Sequence, residues 1–213
     1  MTERYAHLLA MSDQRGLFEH AEGTEFRVEH GYCTDDNARL LVVTSRDPDV
    51  GAAHQLSRMA LHFVRGAQDN DGRCRNRMDP TGRWTDAGTV EDCWGRALWG
   101  FGVAAHQHGN PAVRRWAQRS FDKSARQRSG WSRAMAFAAL GATEVAAVDP
   151  HHVGARALLG DFLDRVGPVP TNGWMWPEAR LTYGNASLAE AVIAAGEALG
   201  RARDVERGLR MLD

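Results

Sequence analysis

Apolar residues recur every three or four positions along most of the chain. That spacing predicts helices over 35–46, 51–67, 91–107, 111–127, 131–147, 151–166, 184–199 and 201–212, with a short one near 3–11. Gly, Pro, Asp and Asn punctuate the segments between them, as in "SRDPDVG", "HGNPAV", "VDPHHVG" and "ALGRARD". These connections are short enough to fold successive helices into antiparallel hairpins, four in all. In each pair the first helix is the richer in apolar or small residues ("RALWGFGVAA", "RAMAFAALGA", "SLAEAVIAAGEAL"). The second carries more charge ("PAVRRWAQRSFDKSARQ", "RARDVERGLRML"). A helix buried on more of its circumference tolerates fewer polar positions, so the asymmetry predicts an inner and an outer set of helices. The fold class is all-α; an α-solenoid would give a similar pattern.

Two long connections break the rhythm. Residues 68–90 hold a "DPTG" turn between two short stretches, which predicts a small β-hairpin insertion near 72–85, lying over the helix ends. Residues 168–183 are the other, and their two tryptophans argue against a disordered linker.

The chemistry concentrates where helices begin. In "EHGYCTDDNARLL" (29–41), Thr34, Asp35 or Asp36 could cap the first turn. The motif then recurs: "DDNARLL" at 35–41 and "DCWGRAL" at 92–98 share Asp, two variable residues, a small residue, Arg, one variable residue and Leu. Asp35 with Arg39 and Asp92 with Arg96 sit at helical i,i+4 spacing, where a weak ion pair accounts for the repeat. It does not account for the neighbouring acids Asp36 and Glu91. "SGWSRAMAF" keeps Trp131 and Arg133 without a carboxylate, and "WMWPEARLTYGNASL" supplies Glu178, Tyr183 and Asn185. If the inner helices start at one end, these residues meet in a pocket.

Flat aromatic faces from Tyr32, Trp84, Trp174, Trp176 and Tyr183, beside directional hydrogen-bonding groups, are what a polyhydroxylated ligand requires. Paired carboxylates would suffice for glycoside hydrolysis. Glu178, between Trp176 and an apolar helix, is the candidate general acid, in surroundings expected to desolvate it; the alternative is a cap for the following helix. Asp36 or Asp92 is the candidate base or nucleophile. This chemistry calls for no cofactor. "HQH" at 106–108 and "HH" at 151–152 lack spaced partners and read as surface or capping histidines, so no metal is expected.

Composition narrows the setting. The 213 residues are 43% hydrophobic, enough for one domain with a sizeable core. The 26 basic and 27 acidic residues create no overall basic field, which disfavours nucleic acid as a partner. The first residues carry charge and read as neither signal peptide nor anchor, and no segment reaches about 18 consecutive apolar residues, so no membrane partner is expected. Cys33, Cys74 and Cys93 form no spaced pair and suit reduced thiols in a cytoplasm. No phosphate loop and no α/β unit for a nucleotide sugar is recognisable.

Three blocks, "EHGYCTDDNARLLV", "RNRMDPTGRWTDAGTVEDCWGRALWGFG" and "WMWPEARLTYGNASLAEA", resemble a bacterial family of the six-hairpin, α/α-toroid kind, glycosidase-like and often found attached to glycosyltransferases or described as such. The resemblance implies a partial or complete α/α toroid whose inner-helix starts line a carbohydrate cleft. It carries Asp35, Asp36, Asn37 and Arg39 from the first block, Glu91, Asp92 and Arg96 from the second, and Trp176, Glu178, Tyr183 and Asn185 from the third. Four hairpins are fewer than six. A fragment, an open domain, a homodimer or a partner chain closing the ring would each reconcile the two, and an open edge should expose apolar surface. The functional expectation is a glycosidase, or a related epimerase or lyase; the alternatives are a non-catalytic carbohydrate-binding module of a glycosyltransferase system and a helical-repeat scaffold.

Overall fold

The computed structural model describes residues 3–47, 51–168 and 173–212, so the middle of the "SRDPDVG" turn and the start of the second long connection lie outside the described residues. After a short 3-10 turn (Glu3–Tyr5), nine α-helices follow among the described residues: α1 (Ala6–Ala10), α2 (Thr34–Arg46), α3 (Ala52–Ala67), α4 (Asp92–Gln107), α5 (Pro111–Ser124), α6 (Ser132–Val148), α7 (Val153–Val166), α8 (Asn185–Leu199) and α9 (Ala202–Arg210). The periodicity located each of these. α5 stops three residues short of the predicted 127, where Ala125 closes the last turn onto Phe121. None of the helices is long and apolar enough to cross a membrane among the described residues.

Helices α2, α4, α6 and α8 form a row in which each packs on the next, while α3, α5, α7 and α9 each pack on the helix before them. The row is parallel. At one end Arg96 of α4 lies 3.3 Å from Asp35 of α2, and Arg133 of α6 binds Asn185 of α8 at 3.0 Å. At the other end Glu144 of α6 gathers Arg46 of α2 (2.9 Å) and His106 of α4 (2.7 Å). Burial alone would raise the Glu144 carboxyl, but hydrogen bonds from His106, Gln107 and Arg46 bring it below its ordinary value. The outer helices run back: Trp94, early in α4, donates its indole N–H to the Ser124 carbonyl at the end of α5 (3.1 Å).

Small residues decide how closely the row packs. A Cβ added at Gly95 would overlap the Ala134 carbonyl, one at Gly102 the Gly141 carbonyl, and one at Gly141 the Leu98 carbonyl. α4 and α6 therefore meet backbone to backbone, and the cost of glycine in a helix interior is offset by that contact.

The N-terminal segment folds over the open flank of α2. Two strands, β1 (Ala21–Glu22) and β2 (Glu25–Phe26), make an antiparallel hairpin that hydrophobic spacing did not reveal. Strand β3 (Tyr32–Cys33) pairs with β4 (Arg77–Met78), and bridges from Met78 to Trp84 around the Asp79–Gly82 turn close the predicted insertion hairpin. Asn37 is fully buried and ties this cover down, accepting from Leu17 N (2.9 Å) and donating to the Cys33 carbonyl (2.9 Å). The α2 cap also differs from expectation: Cys33 Sγ accepts from Asp36 N (3.4 Å) and donates to Asp36 Oδ2 (2.9 Å), while Asn76 Oδ1 takes the N–H groups of Thr34 and Asp35. His152 caps α7 as foreseen, accepting from Ala155 N at 3.1 Å, but His108 is buried against Ser57 rather than on the surface.

Substituting Gly141→Ala should force α4 and α6 apart and cost roughly 1–3 kcal/mol, read as a lowered urea midpoint; an unchanged midpoint would show that the helices separate freely. The three thiols are buried, so Ellman's reagent should react with them only on unfolding.

Candidate functional site

The inner-helix starts converge as the repeated motif requires, and a cleft of about 290 Å³ opens there, lined by Glu91, Asp92, Trp131, Ser132, Arg133, Glu178 and Tyr183. Two arginines, each in the first turns of an inner helix, organise it. Arg96 lies between Asp35 (3.3 Å) and Asp92 (3.7 Å), with its guanidinium 4.1 Å over the Phe137 ring. Arg133, only 8% exposed, donates to Glu178 Oε1 (2.7 Å), to Asn185 Oδ1 (3.0 Å) and to the Tyr183 carbonyl, and its guanidinium lies 4.8 Å over the Tyr183 ring. One side chain thereby fixes the described part of the 173–184 segment as a wall of the cleft.

The Asp35 carboxyl is shifted by its surroundings. Burial raises it above its ordinary value and Asp92 adds to the rise, while Arg96 and the hydrogen bond from Asn76 (3.2 Å) oppose it. Its Oδ1 and Arg96 Nε are buried without a hydrogen bond to either, among the described residues. The Tyr183 hydroxyl is pushed up to about 12 by burial and then by its hydrogen bond to Asp92.

Several expected site residues do other work. Tyr32 is 1% exposed and stacks on Phe18 at 4.7 Å, with its hydroxyl donated to Asp13 (2.6 Å), so it offers no face to a ligand. Asn37 is buried in the cover of α2, as described above. Asp36 is engaged by Cys33 and ion-paired with Arg39, so Arg39 serves Asp36 rather than Asp35, and neither lines the cleft. Trp84 packs on Phe63 (5.2 Å) and faces a separate hollow of about 220 Å³ with Arg15 and Met78. Trp174 donates its indole N–H to the Glu178 carbonyl, and Trp176 packs on the core. Glu178 lies in the cleft, but against a guanidinium rather than in the apolar surroundings expected from Trp176 and α8.

Trp131, 64% exposed at the rim, and Arg133 carry more of the site than their sequence motif suggested. The signal was present. Ser132-Arg133 repeats the small-Arg pair of Gly95-Arg96, but its carboxylate partner comes from Glu178, 45 residues later, and helical spacing cannot reveal a partner at that separation.

No family model matches the chain, and no curated protein matches it. A solved structure, described as the crystal structure of a sugar epimerase from a ruminal bacterium, superposes with a TM-score of 0.71 at 14% identity, over 97% of this chain and 65% of that one. The similarity is one of fold, and this chain spans less than two thirds of that protein.

A carboxyl raised by folding holds its proton more tightly in the folded state. Its contribution is fully present below the ordinary value of 3.8 and is lost as pH rises through the raised folded value. Asp35→Asn cannot ionise and escapes that loss. Urea unfolding should show the variant gaining stability relative to wild type as pH rises from about 4; a constant difference would mean that Asp35 is not raised.

Proposed function

We propose that the protein is carbohydrate-active, that the cleft at the inner-helix starts takes a sugar, and that Asp92 and Glu178 are the acid–base pair of a glycoside hydrolase-like reaction. The observation that carries this reading is the convergence of two carboxylates from different elements, α4 and the 173–184 segment, on one cleft that also presents Trp131 and Tyr183. An aromatic face stacks on the apolar face of a pyranose, while guanidiniums and carboxylates take its hydroxyls. Glycoside hydrolysis then needs one carboxyl to protonate the leaving oxygen and another to activate water or attack the anomeric carbon. Arg133 holds Glu178 in place, Arg96 orients Asp92, and Asp35 acts through Arg96. The roles first given to Asp36, Arg39, Tyr32, Asn37 and Trp84 are not part of this site.

The fold match favours a second reading, epimerisation of a sugar, in which the same pair would remove and return a proton at one carbon. The two reactions leave different marks. Hydrolysis creates a new reducing end, whereas epimerisation in D₂O inverts one carbon and labels it with deuterium. On an oligosaccharide found to bind, Glu178→Gln and Asp92→Asn should each lower turnover by about a hundredfold or more with affinity largely retained. Full turnover in both variants would remove the pair from the chemistry. A wild-type protein that binds the glycan and changes nothing would be an accessory binding module.

A further inference from the structure

On the outer side of the molecule, away from the carboxylate cleft, a groove of about 920 Å³ runs between α3 and α5. α3 lines it with His54, Arg58, His62 and Arg65, spaced so that all four lie along one helix face, and α5 contributes Trp116. Arg65 lies 4.2 Å over the Trp116 ring and Arg119 lies 5.2 Å from the same ring, so two guanidiniums are held on one indole that is 45% exposed. Among the described residues, no Asp or Glu lines the groove. Among the described residues, none of Arg58, Arg65 and Arg119 has a carboxylate partner. Burial lowers the Arg65 guanidinium below its ordinary value, and no nearby charge offsets it. In a chain of net charge −1, such a concentration of unpaired cations is local and one-sided.

We propose that the α3–α5 groove is a binding site for a phosphate chain, with Arg58 and Arg65 as its anchors in the groove and Arg119 beside them on the Trp116 ring. A guanidinium stacked on an aromatic ring has its planar N–H edge preset and weakly hydrated, which suits bidentate contact with an oxyanion. A single carboxylate would leave most of these cations unmatched, whereas a di- or triphosphate spreads several charges along a line, as the α3 face does. The chain could be inorganic or belong to a nucleotide, and the two share this chemistry.

Isothermal titration of the whole protein with inorganic tripolyphosphate, at low salt and at about 0.15 M salt, tests the site. Saturable binding is expected, weakened about tenfold by Arg65→Gln and by the exposed Arg119→Gln, and partly kept in Arg65→Lys, which retains the charge but not the planar fork. Arg210→Gln, which breaks the remote pair with Glu206 on α9, should leave the affinity unchanged. Tighter binding of adenosine triphosphate than of tripolyphosphate would assign the phosphates to a nucleotide, and equal binding to the phosphate chain alone. Absence of saturable binding at low salt, an affinity unmoved by both arginine variants, or stronger binding of duplex DNA at matched phosphate concentration would overturn the proposal. Loss of phosphate binding leaves the sugar cleft unaffected, so the two assignments fail separately.

Discussion

The backbone contact between α4 and α6 is the constraint on which the remaining geometry depends. Gly95, Gly102 and Gly141 face carbonyl oxygens of the opposite helix with no room for a side chain. Interiors this dense do not absorb an extra methyl group by small adjustments. A wider separation at this pair would move the first turn of α4 away from that of α6. Arg96 would lose its place over Phe137, and Glu91 and Asp92 would leave the cleft wall they share with Trp131 and Arg133.

Electrostatics then works on what packing has brought together. Four parallel inner helices present their N-terminal ends to one side, a field that favours carboxylates there. Asp35, Glu91, Asp92 and Glu178 accept it, but so many acids in a confined space would repel one another. Arg96 and Arg133 relieve the repulsion, each reaching to a neighbouring element for its acid: Arg96 to Asp35 on α2, and Arg133 to Glu178 in the 173–184 segment. The pairs are partly buried, so removing one partner costs more than the loss of an exposed surface pair. The far end of the row uses the opposite arrangement, with one carboxylate, Glu144, shared by Arg46, His106 and Gln107. Polar contacts thus join α2 to α4 at one end of the row and α2, α4 and α6 at the other.

The outer surface follows a different rule. On α9 two of the three arginines are matched by acids of the same helix, Arg207 by Asp204 and Arg210 by Glu206. α3 contains no acid at all. Of its cations, Arg65 lies over the Trp116 ring.

Helical spacing determined the type, order and approximate limits of the helices, because amphipathic periodicity is a local property and each helix here buries the face its sequence marks. The division into inner and outer helices was equally legible, since burial on several sides excludes charge. The repeated Asp-x-x-small-Arg-x-Leu motif also pointed to one end of the row, where Asp35, Asp92, Arg96 and Glu178 are found. Partners distant in sequence were not legible. The motif could not show that Arg96 reaches across to Asp35 or that Arg133 takes Glu178, since those choices depend on how the elements pack. Nor could residue type separate Tyr32 and Asn37, buried under the N-terminal cover, from Trp131 at the cleft rim: an aromatic or an amide serves a core or a ligand with the same chemistry, and only the packing around it decides which.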